Sequence, residues 1–402
     1  MSEKQMREWL QLALKNENFL DFTTQIHGTA EKADGYLGKV IFLTVTGKTK
    51  TGAKTLDLVI KTSSQSAQLR KQITIKLFFQ REIHVYERVV PTFAQFAKDS
   101  GADLPDFVPK CLATKEEEQV EMIVLENLKP KGYVLWDRKV PMDCDHVELV
   151  LGSFAKWHAF SLALRHKHRK MFAKLMENNV NVFPYHILRN GMDETIYNYL
   201  QEIKKSNFGP NCAEIKDFEL TRDKIRHIFG NFFEQEPDFH VILHGDCWTN
   251  NFLFKLEENT NKPSHCCIID WQCAALASPV MDLSFFVYTC VDTGIHKDVT
   301  KLLRIYYDIL GQTLRQFRCD PGEIFTFEKL EQHWRQFSVY GLLLATFILK
   351  FSLCDAEEAP DFGEIAEQGK SFLEGLDFKI RNEESYVTRV KHNILHCLRN
   401  SN

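Results

Sequence analysis

Apolar and polar residues alternate with the period of a strand over 38–46 (GKVIFLTVT) and 56–62 (LDLVIKT), and the glycine- and lysine-rich stretch 47–55 between them predicts a hairpin loop. Over 73–90 the period becomes helical, ended by Pro91. Short apolar runs at 111–114 and 120–125 then predict two more strands around an acidic turn at 116–118. Directly after the last of these, 126–133 (ENLKPKGY) carries Pro and Gly, the signature of a hinge. Beyond it helical patterns dominate: a long amphipathic helix over 143–170, then helices near 192–206, 212–230, 280–292, 296–316 and 325–352. This order predicts an α+β protein of two lobes. A small antiparallel-sheet lobe with one helix spans 1–126, a hinge 127–133, and a larger, mostly helical lobe 134–402.

Composition narrows the function classes. The chain has 402 residues, 44% of them apolar, with 31 Phe and a formal net charge of -4, so it can fill a core in both lobes and offers no basic surface for nucleic acid. Its densest basic run, 165–170 (RHKHRK), fits a solvated helix end. Charges scattered through MSEKQMREWLQLALKNENFL leave no apolar core for a secretory signal, which predicts a cytoplasmic chain. No membrane association is expected either. The longest apolar run, 339–349, stops at Lys350, short of the ~18 to 20 residues of a membrane span, and predicts a core helix.

Eleven cysteines form no C-x-x-C pair and fit reduced thiols. Cys266 and Cys267, with Cys273 and His265 close by, could suggest zinc, but neighbours on a strand point to opposite faces and cannot close one tetrahedron. His240 and His244 stand four apart, yet on a β-type run and without the glutamate of H-E-x-x-H. The stretch 47–55 (GKTKTGAKT) is one inserted Ala53 away from a phosphate-binding loop. A strand follows it where that motif needs a helix, so it predicts a solvated turn.

One stretch, HVILHGDCWTNNFLF at 240–254, sets a His, an Asp and two Asn between apolar runs. A hairpin turn would explain the residue types but not their spacing. Asp246 and Asn251 are spaced D-x-x-x-x-N, and nineteen positions after Asn251 the run CCIID ends on Asp270. That is phosphotransferase spacing. The first Asp accepts the proton of an attacking hydroxyl, while the Asn and the second Asp hold Mg2+ against the phosphates of ATP. Upstream, strand alternation puts Val59 and Lys61 on one face of LDLVIKT. Glu82 lies on the apolar stripe of the 73–90 helix with Ile75, Phe78, Phe79, Tyr86 and Val89, where a carboxylate is costly unless paired. A structural Lys61–Glu82 ion pair without function is the plain alternative. The order strand-Lys, helix-Glu, hinge, D-x-x-x-x-N, strand-Asp favours catalysis.

HGDCWTNNFLF, IIDWQ, SPVMDLSFF, FFQREIHVYERVVP and MIVLENL together resemble the ecdysteroid kinase-like family of insects, related to choline kinases and aminoglycoside phosphotransferases, over about residues 20–380. The resemblance implies a two-lobed, protein-kinase-like fold that uses ATP and Mg2+. By it Lys61 would steady the α- and β-phosphates, Glu82 would position Lys61, Asp246 would be catalytic, and Asn251 and Asp270 would bind the metal. It also implies nucleotide contacts from Gly35, Gly38 and Val40 of the glycine loop, from Val59, and from Glu126 and Leu128 at the hinge. Asp282 would brace the catalytic loop and His244 would pack against it. Two departures stand out: Ala33 replaces the loop's first glycine, and Asn127 stands where family members often carry Asp.

After Asp270 come Trp271 and Gln272 in place of Phe-Gly, no A-P-E follows, and Asp282 arrives twelve positions later. No room remains for a peptide-docking activation loop, which points away from a protein kinase. The expected function is therefore an ATP-dependent kinase of a small-molecule hydroxyl. A catalytically silent nucleotide-binding scaffold and a choline-type kinase are the alternatives. The aromatic-rich segment 333–353 (HWRQFSVYGLLLATFILKFSL) would lie partly beside the acceptor cleft by the same resemblance, with most of it in the core. An apolar alcohol, an ecdysteroid or another steroid or xenobiotic, suits it better than a polycationic antibiotic. The acidic run 355–364 is expected to be a solvated loop.

Overall fold

Five antiparallel strands build the N-terminal lobe: β1 (Phe19–Thr29), β2 (Gly38–Thr49), β3 (Gly52–Ser63), β4 (Cys111–Glu117) and β5 (Val120–Glu126), in the order β1-β2-β3-β5-β4. The computed structural model describes residues 3–30, 37–103, 106–177 and 181–400. β3 is central, with Lys61 paired to Val40 on one side and Ile123 on the other. Its alternation gives two faces. Leu58 and Ile60 join Leu43, Val45, Met122 and Val124 in a small core, sealed by Trp9 and Leu10 of the helix Glu3–Ala13. Each large apolar side chain buried there stabilises the sheet by about 1.5–3 kcal/mol. Val59 and Lys61 face the opposite way, toward the rest of the molecule.

Three expectations are corrected. The predicted loop 47–55 is almost all strand, with only Lys50 and Thr51 outside the paired residues. The lobe holds more than one helix, since Glu3–Ala13 and Ala67–Gln72 accompany the long one. Pro91 does not end that long helix either. Ile75–His84 passes through a wide turn, Val85–Val89, in which the Val90 N–H reaches back five residues to the Val85 carbonyl, and continues as Val90–Ser100. Widening the turn just before the proline gives its ring room that a regular helix would deny it. The helix thus runs on far enough for Phe93 to meet Trp157 and Phe160, and for Phe96 to stack on Phe317 at 4.6 Å between centroids.

At the end of β5, Asn127 N–H still donates to Asp57 of the sheet, and a tight turn at Lys129–Lys131 follows, closed by Gly132. The chain then enters β6 (Tyr133–Leu135), which pairs with β8 (Phe252–Leu256) and through it with β9 (Pro263–Ile268) in the C-terminal lobe. A second small ribbon joins β7 (Val241–Leu243) to β10 (Ala275–Ala277). Around these ribbons lie helices. Cys144–Lys167, capped by the Asp143 carboxylate on the His146 N–H, is buried for most of its length. Phe327–Leu353 crosses Val280–Cys290 at Gly341, where a Cβ would sit 2.3 Å from the Ser284 backbone. The segment Pro321–Leu353 is long and apolar enough to cross a membrane, yet 78% of its apolar window is buried inside this fold. Across the cleft, the Gln72 side chain donates to the Lys370 carbonyl (3.0 Å) and accepts from the Phe372 N–H (2.6 Å), clasping the two lobes together.

Candidate active site

The stretch between β7 and β8 is not a hairpin, because β7 pairs with β10 while β8 pairs with β6 and β9. Residues 244–251 bridge two separate ribbons. Gly245 is required there: its φ is 82°, and a Cβ would come within 2.2 Å of the Cys273 carbonyl oxygen. Buried Asp282 holds the loop from below. One of its oxygens accepts the His244 N–H (2.7 Å) and lies 3.2 Å from His158 Nε2, and the other accepts the Gly245 N–H (2.9 Å) and the Cys247 thiol (3.2 Å). His244 Nε2 donates to the Ile269 carbonyl (2.9 Å), and its Nδ1 accepts the Asp246 N–H (3.3 Å). Burial works against ionisation of Asp282, but its hydrogen bond and charge interaction with His158 hold the carboxyl below its ordinary value.

Asp246 projects from this loop. Asn251 Nδ2 donates both to its carbonyl (2.8 Å) and to its carboxylate (2.9 Å), which fixes the side chain. Burial, then repulsion from Asp270, pushes the Asp246 carboxyl up to about 7. Past the end of β9, Ile269 N–H donates to the Asn251 carbonyl (3.0 Å), tying the two segments, and Asp270 turns in a left-handed conformation (φ 65°). Lys61 reaches across from β3. Its ammonium donates to Asp270 Oδ1 (2.5 Å) and Glu82 Oε2 (2.6 Å), and lies 5.6 Å from the Phe79 ring. Burial alone would lower the lysine pKa, but Asp270 and then Glu82 hold it above the usual value. Burial raises the carboxyl of Glu82, with Lys61 opposing.

These groups border a cavity of about 160 Å³ between the lobes. Lys61, Asp246, Asn251 and Asp270 form its polar end, with Gly38 and Val40 alongside. Glu82 stands behind Lys61, 1% exposed. Val59, Glu126 and Leu128 do not line this cavity. Glu126 is instead held by the Lys110 N–H and the Lys131 ammonium. Gly35 lies outside the described residues. The opposite wall is apolar: Phe78, Met192, Phe347, Phe351, Phe362 and Phe372. Of the segment 333–353, then, only the C-terminal end reaches the cavity, while Trp334, Phe337 and Tyr340 are core. Sequence patterning did not single out Met192, Phe362, Phe372 or the nearby His186 and Trp248, because an apolar or aromatic residue facing a cavity has the same pattern as one facing a core. The acidic run 355–364 is partly ion-paired, Asp355 with Lys139 and Arg381, and it contributes Phe362 to the wall.

Among the described residues no cluster of three His, Cys, Asp or Glu side chains could hold a metal by itself. Asn251 and Asp270 instead offer two hard oxygen donors, since the Asn251 amide nitrogen is committed to Asp246. That set suits Mg2+, which keeps several waters and takes few protein ligands beside phosphate.

The family model for ecdysteroid kinase-like proteins matches residues 32–319. The chain belongs to the ecdysteroid kinase-like family. Membership marks it as a small-molecule kinase-like protein. Among solved structures, it is similar to a single-residue variant of aminoglycoside 2'-phosphotransferase-IIIa in complex with GDP (11% identity, 90% of this chain and 95% of that one, TM-score 0.41). It is also similar to an aminoglycoside-3'-phosphotransferase of type VIII (13%, 76% and 88%, 0.30). A third is a protein described as a fructosamine-3-kinase, from Haemophilus somnus 129PT (12%, 89% and 94%, 0.34). No curated protein matches the sequence. In this ecdysteroid kinase-like chain, the matched region takes in Lys61, Glu82, Asp246, Asn251, Asp270 and Asp282.

Proposed function

We propose that this chain transfers a phosphoryl group from ATP to a hydroxyl of a small, apolar alcohol such as a steroid or xenobiotic. One observation carries the reading: a cavity whose polar end is Lys61, Asp246, Asn251 and Asp270 has an opposite wall of phenylalanine and methionine. The polar end suits phosphates and a reacting hydroxyl. The apolar wall suits a ring system and offers no carboxylate to a cationic acceptor.

Lys61, oriented by Glu82, binds phosphate oxygens and holds them against the C-terminal lobe. Asp246 accepts the proton of the attacking hydroxyl, and the two bonds from Asn251 keep its carboxylate aimed. A carboxyl poised at about 7 is a stronger base than an ordinary aspartate. Asn251 and Asp270 would hold Mg2+, which when bound neutralises charge on the phosphates. A reducing, cytoplasmic setting is part of the proposal, supported by eleven free thiols.

The test is transfer from γ-labelled ATP, with Mg2+, to a panel of sterols, apolar ring alcohols and choline. A labelled phosphate ester of an apolar alcohol is expected. Transfer to choline alone would overturn the acceptor class, and failure to bind nucleotide would overturn the whole reading.

A further inference from the structure

On the helical wall of the cavity one residue is polar. His186, on the helix Val182–Asn190, is 3% exposed and sits between Phe78 (ring centroids 5.5 Å apart) and Phe372 (5.8 Å). Its polar neighbour among the described residues is Asn190, one turn on. Asn190 Nδ2 lies 3.0 Å from the His186 carbonyl oxygen, a position only a hydrogen-bond donor can take, so the amide orientation is fixed. The same nitrogen lies 2.8 Å from His186 Nδ1 and 3.4 Å from Nε2, so it stands over the face of the ring and along neither nitrogen's lone pair. The neutral ring carries its proton on one of its two nitrogens. Burial keeps the ring neutral, with its pKa pushed down to about 4.

Neither ring nitrogen has an acceptor among the described residues. Asn190 Nδ2, the polar group near both, is itself a donor, so either tautomer leaves the ring N–H without a partner. A buried N–H in an apolar wall is left unsatisfied until something brings it an oxygen. We propose that His186 donates this hydrogen bond to a second oxygen on the acceptor, a ketone or hydroxyl apart from the one phosphorylated, and so selects among apolar alcohols. The inference rests on the apolar-acceptor reading above and adds to it what that acceptor must carry.

Two probes separate the possibilities: a decalin alcohol, and the same alcohol with a ketone on its other ring. Binding is followed by tryptophan fluorescence, since Trp248 lines the cavity, and transfer by labelled ATP. Wild type should bind the keto-alcohol about tenfold more tightly, the effect of giving one buried donor its partner. The preference should appear in KM and leave kcat alike for the two probes. His186→Phe should abolish the preference, and His186→Gln, which keeps an N–H, should retain part of it. Equal binding of the two probes by wild type, including failure of both to bind, overturns the inference, as does a preference that survives in His186→Phe. Should His186→Phe not fold, the wild-type comparison and His186→Gln decide. Preferential binding without transfer would count against the kinase reading instead and leave the role of His186 standing.

Discussion

The ammonium of Lys61 touches Asp270, 209 positions away in the chain, at 2.5 Å, while Glu82 holds it from the other side at 2.6 Å. One cation thus joins two carboxylates from two lobes. On the proposed function, phosphates entering the cleft would take over the contact that Asp270 now makes. Replacing Lys61 with Met is expected to cut phosphotransfer by about 10² to 10³-fold, the usual loss when one electrostatic stabiliser is removed. The fold should survive. Glu82, whose carboxyl burial already raises, takes up a proton when its partner is gone. Turnover beside a melting curve checks both parts, and wild-type turnover would remove Lys61 from the mechanism.

Metal dependence separates Asn251 from Asp270. Both Asn251→Ala and Asp270→Asn should raise the Mg2+ concentration needed for half-maximal activity. Asp270→Asn should be the more severe, because it removes a charge as well as a ligand oxygen. An unchanged magnesium titration in Asp270→Asn would sink the metal role.

Changing Asp246 to Asn preserves shape and removes the proposed base. The expected loss in kcat is about 10² to 10⁴-fold, or ~3 to 5 kcal/mol of barrier, with nucleotide affinity retained. Near-normal turnover would falsify the catalytic assignment.

Asp282 does not line the cavity, yet its loss should be felt at the site. In Asp282→Ala the buried N–H groups of His244 and Gly245 lose their acceptor, at about 1–3 kcal/mol each. Denaturant unfolding should show that loss, and turnover should fall because Asp246 is no longer held in place. A variant as stable as wild type would mean that water replaces the carboxylate.

Acid should weaken the fold through two histidines far from the cleft. His296 and His396 pack ring to ring, 4.7 Å between centroids, and burial, first of all causes, pushes them down to about 3 and about 4. Depressed values in the folded state mean that their contribution to stability is complete above the ordinary value of 6.5 and is lost as pH falls from there toward the folded values. The urea midpoint should therefore drop between about pH 6.5 and about pH 4, and His296→Gln should flatten that slope. An unaltered slope in the variant would place the acid sensitivity elsewhere.

The polar end of the site was legible because its residues sit at strand and turn positions where spacing constrains geometry. Lys61 follows from alternation along β3, Glu82 from a carboxylate on an apolar stripe, and Asp246, Asn251 and Asp270 from their intervals. Of the apolar wall only the part from 333–353 was expected, through the resemblance, since Phe78, His186, Met192 and Phe372 come from separate helices and only folding brings them together. β1 escaped notice for a different reason. It is an edge strand whose residues Asp21, Thr23, Thr24, Gln25 and His27 are mostly exposed, so no buried face imposes alternation on it. The outer ends of β2 and β3 hid in the same way, as polar residues paired in solvent.

The wide turn before Pro91 has a consequence for the site. It lets a single helix present Glu82 to Lys61 at one end and, past the proline, anchor Phe93 and Phe96 among Trp157, Phe160 and Phe317 of the other lobe. Pinned in this way, the helix keeps its glutamate beside Lys61. On the proposed function, the lysine that holds phosphate would be set in place before any ligand arrives.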